Sequence, residues 1–362
     1  MTDQARTEHR RPTLRDVARV ASVSVSTASM ALRGDPRIAQ ATRQRVGDAA
    51  RLLRYVPDSQ ARSLRVRHTG NLGLVIPHSS EHVFSHQYFL TLLDGIVARS
   101  NEVGAMLVLS VSPREDDEQT PYLRILHGRA VDGVVVASAP PQDRNVLQLA
   151  ASGYPAVFIG RYPDSTSVDA VGVDDHAGAR LATDHLIEAH GRRRVAYLRG
   201  PLNALSAADR LDGYRTSLAR HDIAYHEALV AQADYDQPAG EAACERLIGS
   251  GIAFDAMVTA NDDSAIGALR ALRRVGMRVP EDVALVGFDD APSASVVTPT
   301  LTTIHQPVRE LGYAAATRLL ELIGADEPVP ARQTMLPVTL VTRASCGCPE
   351  QPAPEQPATG SR

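Results

Sequence analysis

The chain has 362 residues, 44% hydrophobic and 22% charged, enough to build two or three packed domains. No apolar run approaches the roughly 20 residues that span a bilayer. The first twelve residues are polar and basic without a signal-peptide core, and three cysteines give no disulfide framework, so a cytoplasmic protein is expected. The net charge of −4 hides a division. Residues 1–68 hold 14 Arg against 6 acidic residues (+8), residues 69–362 hold 24 Arg against 36 (−12), and there is no lysine. A small basic head on a larger acidic body implies a polyanion-binding module joined to something else.

After a disordered arm over 1–12, three short helices are predicted within 13–56. Leu14, Val17, Ala18 and Ala21 recur at helical spacing. Ser22-Val23 interrupts, and Ser24 is a good N-cap for a second helix with Ala28, Ala31 and Leu32 inward, Thr27 beside them, and Arg33-Gly34 at its end. Val46, Ala50 and Leu53 give the third helix its stripe. Two short helices with a tight turn, backed by a third, form a helix-turn-helix. The second helix is bare of bulk and charge, which suits a major groove, and Ser24, Ser26 and Ser29 can donate to phosphates.

Residues 57–69 read as a hinge. Pro57 can start a single helical turn through Ala61 and Leu64, too short to be stable alone, with the leucine oddly placed between Arg62 and Arg65. Over 70–348, "LGLVIP", "AMLVLSV", "GVVVASA", "AVFIG", "RVAYL", "AMVTA" and "VALVGF" alternate with helix-length segments. That is the rhythm of parallel sheets covered on both faces, read as two doubly wound α/β lobes with the second series starting near Val195. Ligand groups belong at the strand ends between the lobes. Tyr88-Phe89 could stack on a flat ring, and Arg161, Ser206, Arg210, Tyr235, Asn261-Asp262 and Asp289 supply polar partners for hydroxyls. Each could instead close a loop or cap a helix. The Pro/Glu-rich residues 349–362 read as a disordered tail.

"TLRDVARVASVSVSTASMALRG" followed by "TRQRVGDAARLLRYVPDSQARSLR" resembles the DNA-binding segment of the lactose-repressor (LacI/GalR) family nearly position by position. The resemblance continues through "VDGVVV", "VGVDDHAGARLATDHLIEAHGRRRVAYLRGP", "VTANDDSAIGALRALRRVGMRVPEDVALVGFDD" and "TPTLTTIHQP". It implies an all-α helix-turn-helix domain before a periplasmic-binding-protein-like core, in a dimeric repressor of a nearly palindromic operator controlled by a sugar-like effector. The DNA-contacting set would be Thr13, Ser24, Val25, Ser26, Thr27, Ser29, Met30, Arg33 and Tyr55, with Val25, Ser26 and Met30 facing bases. In the hinge, Leu64 would wedge into the minor groove beside Arg65, and Ala61 would let paired hinge helices approach. Effector contacts would include Phe89, Arg161, Ser206, Arg210, Tyr235, Asn261 and Asp289. The chain departs from the family pattern at Ser22, where Gly is usual, at Met30, where Arg is common, at Gly160, where an acidic residue often stands, and at "AHGRRR", which inverts a usual Gly-His.

Other signals carry less. His78, His82 and His86 are spaced by four but lie among serines after a strand, which favours an effector loop over a metal site. Cys346-Gly-Cys348 has no second cysteine pair in the chain, so a four-thiolate zinc site would need another subunit. No G-x-S-x-G elbow or phosphate-cradling loop is present, so no enzyme, cofactor or metal is expected. Residues 349–362 lack leucine heptads, which favours a dimer over a tetramer. The rival reading is a small-molecule-binding protein that does not regulate DNA.

Overall fold

The computed structural model describes residues 12–55, 69–114, 117, 119–128, 130–140, 143–162 and 167–349. The chain divides into two compact units, 1–69 and 70–362. In the first, α1 (Leu14–Val20) opens with a capping box: the Asp16 amide donates to the Thr13 hydroxyl, and the Thr13 amide donates back to the Asp16 carboxylate at 2.9 Å. The chain turns at Ser22, which has φ 53°, and α2 (Val25–Leu32) starts from the Ser24 cap. α3 (Gln40–Leu52) closes the bundle. The core is small: Val17, Ala18, Ala21, Ala28, Ala31, Val46, Ala49 and Ala50. Because α2 contributes only alanines to its fully buried face, it packs close and leaves its opposite side to solvent.

The second unit contains two six-stranded sheets among its described residues. Lobe 1 holds β1 (Asn71–Ser79), β2 (Met106–Ser112), β3 (Gly133–Val136), β4 (Ala156–Ile159), β5 (Ala170–Val173) and β11 (Gln333–Leu336), in the order β11-β5-β4-β3-β1-β2. Lobe 2 holds β6 (Val195–Arg199), β7 (Val230–Gln232), β8 (Ala256–Thr259), β9 (Ala284–Asp289), β10 (Thr302–His305) and β12 (Thr339–Val341), in the order β12-β10-β9-β8-β6-β7. Pairing is parallel except between β10 and β12. The two lobes repeat one winding, 2-1-3-4-5, which places a topological switch point beside β1 in lobe 1 and beside β6 in lobe 2.

Helices cover both sheets. α4 (Ser80–Ser85), α5 (Gln87–Val103), α6 (Thr120–Gly128) and α7 (Arg144–Ala151) follow strands of lobe 1. α8 (Asp175–Glu188), α9 (Leu205–Arg220), α10 (Gln237–Gly249) and α11 (Asp262–Arg274) belong to lobe 2. α12 (Val308–Ile323) returns to lobe 1 and lies against α5. There Gly312 permits contact at backbone distance, since a Cβ on it would sit 2.2 Å from the Leu92 carbonyl oxygen. The chain thus passes between lobes three times, after β5, β10 and β11.

The seven predicted strands are all present, and the second series of strands begins at Val195 with β6, after α8 has opened lobe 2 at Asp175 directly behind β5. β7, β10 and β11 escaped the periodicity reading because "VAQ", "TTIH" and "QTML" mix polar with apolar side chains, β12 is only three residues long, and β5, "AVGV", was passed over although it is as long as β3, β4 and β8.

Candidate effector cleft and nucleic-acid interface

The carboxyl ends of strands from both lobes surround a cavity of about 220 Å³. That is below the roughly 300–1,000 Å³ usual for ligand sites, so it favours a small guest. Tyr88, Phe89, Arg161, Ser206, Arg210, Tyr235, Asn261 and Asp289 all line it. Their polar atoms are not equally available.

Arg210, from α9, is the buried centre. Its Nε donates to Asp175 Oδ1 at 2.7 Å, one Nη donates to the Ala260 carbonyl, and Nη1 stands 3.7 Å from Asp289 Oδ1. The guanidinium carbon lies over the Phe288 ring, 3.7 Å from its centre, at cation–π distance. Burial works against its charge, but Asp175, Tyr235 and Asp289 outweigh that and hold its pKa above the ordinary value. The carboxyls respond in the opposite sense. Burial raises Asp175 even though Arg210 pulls it down, and burial raises Asp289 to about 7 against Arg210 and the Gln306 amide, which donates at 2.5 Å. Two carboxyls share one cation, so the cleft has acceptor capacity to spare. A guest that donates hydrogen bonds fits it.

Tyr235, with φ 65°, brings its hydroxyl within 3.1 Å of Ser206 Oγ, and Tyr88 is half-buried against Phe89 with its phenol held neutral by burial and the nearby Asp175 and Asp289 charges. Phe89 belongs mostly to the lobe 1 core. Asn261 caps α11: its Oδ1 accepts from the Ser264 amide and hydroxyl, and its Nδ2 donates to the Tyr235 carbonyl at 2.8 Å. Arg161 reaches across to lobe 2 and pairs with Asp209 through Nε at 2.9 Å and Nη2 at 2.7 Å. These two side chains therefore shape the cleft more than they offer it free donors.

Sequence reasoning missed Asp175 and Gln306 as cleft residues, whereas the histidines it assigned to an effector loop do line the cleft. The three imidazoles form a stack, His78–His82 at 4.6 Å and His82–His86 at 4.2 Å between ring centres. His78 is the next-to-last residue of β1, His82 lies in α4 and His86 precedes α5, so a short helix stands where a loop was expected. Asp175 follows its strand as the predicted residues follow theirs, and recognising "AVGV" as a strand would have found it.

In the first unit, the start of α2 is the exposed polar surface. Ser24 Oγ accepts from the Thr27 amide at 3.0 Å and sits 2.8 Å from the hydroxyls of Ser26 and Thr27. Val25, 42% accessible, and Ser26 project at the first turn, while Thr27, Ser29 and Met30 are half-buried and Arg33 is exposed at the far end. The Thr13 hydroxyl donates to Asp16 at 2.7 Å, and Tyr55 packs on the three-helix core. Ala61, Leu64 and Arg65 lie outside the described residues.

Residues 13–58 match the profile described as bacterial regulatory proteins of the lacI family, and residues 183–346 match a periplasmic binding protein-like domain. The HTH-type transcriptional regulator CelR of Thermobifida fusca is 35% identical over 93% of this chain and 98% of its own length. The chain belongs to the LacI family of bacterial regulators. It is a DNA-binding transcriptional regulator with the family's two-lobed core. The solved lac repressor dimer bound to operator and the anti-inducer ONPF superposes with a TM-score of 0.82 at 30% identity, covering 93% of this chain and 99% of that one. A CelR–cellobiose complex gives 0.71 at 33% identity over 92% and 100%. No helix among the described residues is long and apolar enough to cross a membrane.

Two of the four departures from the LacI pattern have local causes. Gly160 has φ 116°, a conformation that disfavours an acidic side chain. In "AHGRRR" the positive φ falls on Gly191, at 64°, so the inverted order puts the glycine where the backbone leaves α8.

Proposed function

We propose that this LacI-family regulator is a cytoplasmic, homodimeric repressor, not an enzyme. In this reading the start of α2 enters the major groove of a nearly palindromic operator, and a small polyhydroxylated effector binds between the core lobes. The observation that carries the effector half is the cluster of Arg210, Asp175 and Asp289 under Tyr88 and Tyr235 in one cleft. Ring hydroxyls can donate to the surplus carboxyl oxygens as charge-assisted bonds, and an aromatic wall takes the apolar face of a sugar. The cellobiose of the CelR complex makes mono- and disaccharides the first candidates.

A ligand between lobes biases the angle between them, and in a dimer that angle sets whether residues 57–69 of two chains can meet on DNA. Such coupling is reciprocal, so operator must change effector affinity by the same factor that effector changes operator affinity. The test is calorimetry with cellobiose, other mono- and disaccharides, polyols and nucleosides on wild type and Asp289→Ala, with gel shifts on the operator. Asp289→Ala is expected to bind operator normally and to lose roughly ten- to a hundredfold in effector affinity. Equal binding of every compound by the two proteins removes Asp289 from the site and the sugar assignment with it.

A further inference from the structure

Away from the cleft, four metal-ligating side chains from two distant parts of the sequence converge on one point of lobe 2. His185 lies in the last turn of α8 and His190 just beyond its end. Cys346 ends a 3₁₀ turn, Ala344–Cys346, and Cys348 follows two residues later. Their imidazole nitrogens and sulfurs all lie within 4.8 Å of one another. The two Nε2 atoms are 3.3 Å apart, His185 Nε2 is 3.4 Å from Cys346 Sγ and 3.8 Å from Cys348 Sγ, and His190 Nε2 is 3.4 Å from Cys348 Sγ. Around a tetrahedral zinc ion, bond lengths of about 2.05 Å to nitrogen and 2.3 Å to sulfur put ligand atoms about 3.3 Å apart for N–N and about 3.5 Å for N–S. The observed edges follow that pattern.

We propose that His185, His190, Cys346 and Cys348 form a structural zinc site that fastens the end of the core to α8. Two thiolates and two imidazoles are a soft, four-coordinate set that favours zinc over magnesium or calcium. All four positions are filled by protein, so no site is left open for a substrate and the role is structural. The surroundings serve the ligands. Thr302 Oγ1 stands 3.1 Å from Cys346 Sγ, where its hydroxyl can donate to a thiolate. Gly347, with φ 98°, turns the chain between the two cysteines, and its Cα faces the His190 ring closely enough that a Cβ would sit 3.5 Å from Nδ1. The adjoining Ser345 anchors the same turn: its Oγ donates to the Leu285 carbonyl at 2.7 Å and accepts from the Thr302 amide at 2.8 Å. Sequence spacing hid this site because the second ligand pair is histidine, about 160 residues upstream of the cysteines.

The test uses untagged full-length protein purified under a thiol reductant, with metal content measured by mass spectrometry. About one zinc per chain is expected, and exchange with cobalt should give the visible d–d and thiolate charge-transfer bands of a tetrahedral thiolate site. Cys348→Ser and His190→Gln, both at half-buried positions, should each reduce bound metal at least about tenfold, whereas Cys244→Ser, buried in a different cluster, should retain it. Wild-type protein whose three thiols all titrate, yet which takes up neither zinc nor cobalt, overturns the proposal without recourse to any variant. Full stoichiometric zinc in Cys348→Ser and His190→Gln overturns it equally.

Discussion

Arg161 on lobe 1 holds Asp209 on lobe 2 through two parallel hydrogen bonds at 2.7 and 2.9 Å. The arginine is half-exposed, so the pair adds little to global stability, on the order of 0.5–1 kcal/mol. Its position makes it matter for the angle between lobes. Arg161→Ala and Asp209→Asn should each weaken effector binding by about two- to fivefold, and the double variant no further than either alone. Calorimetry on all four proteins decides it. If Arg161→Ala is damaging while Asp209→Asn is silent, Arg161 touches the ligand and does not act as a clamp.

Asp289 gives the cleft a pH dependence. Its carboxyl, faced by Arg210, Asp175 and Gln306, is raised to about 7, so the folded protein holds a proton that the unfolded chain has lost between about pH 4 and 7. The stability linked to that proton is present below the usual carboxyl value and lost as pH rises through 7. Effector hydroxyls that donate to the ionised form should bind about tenfold more tightly at pH 8 than at pH 6. Asp289→Asn should flatten the profile. A flat wild-type profile excludes the carboxylate from recognition.

Ser22 carries a left-handed backbone at φ 53° between α1 and α2. A Cβ in that region costs roughly 1 kcal/mol, which glycine avoids, though glycine's freer unfolded chain offsets part of it. Ser22→Gly should therefore slow hydrogen exchange across α1 and α2 by a few fold in the full-length protein, with operator affinity preserved. Faster exchange would mean that the Ser22 side chain supports the turn.

DNA binding should be steep in salt. With +8 on residues 1–68, neutralising even about six phosphates gives a log–log slope near −5. Leu64→Ala should lower operator affinity by a few kcal/mol while leaving the melting transition in place. A slope near zero, or an altered melt with unchanged operator affinity, contradicts the assignment of the head and hinge.

Much of this was legible because it rests on long, repeated signals. The helices around Val17, Ala28 and Val46 follow from apolar spacing, and the Ser24 cap follows from residue type. The cleft residues were found where strands could be seen to end. What the sequence concealed was commitment: Arg161 pairs with Asp209, 48 residues away and unmarked by spacing, while the Asn261 cap on Ser264, three residues on, was one of two roles the sequence left open. Asp175 was hidden because "AVGV" was not read as a strand, and the histidine stack because three rings sharing a wall require the turn between β1 and α4.

The triple passage between lobes also orders the protein's birth. Lobe 1 lacks α12 and β11 until residue 336 has been synthesised, long after its first five strands have emerged. In the interval the buried face of α5, with Leu92 and Ile96, has no α12 to cover it. Lobe 2 can assemble five of its six strands by residue 305, before its neighbour is complete. A nascent chain stalled between those two points carries a nearly finished second half and a first half still open along one face, the state in which a chaperone would have most to hold.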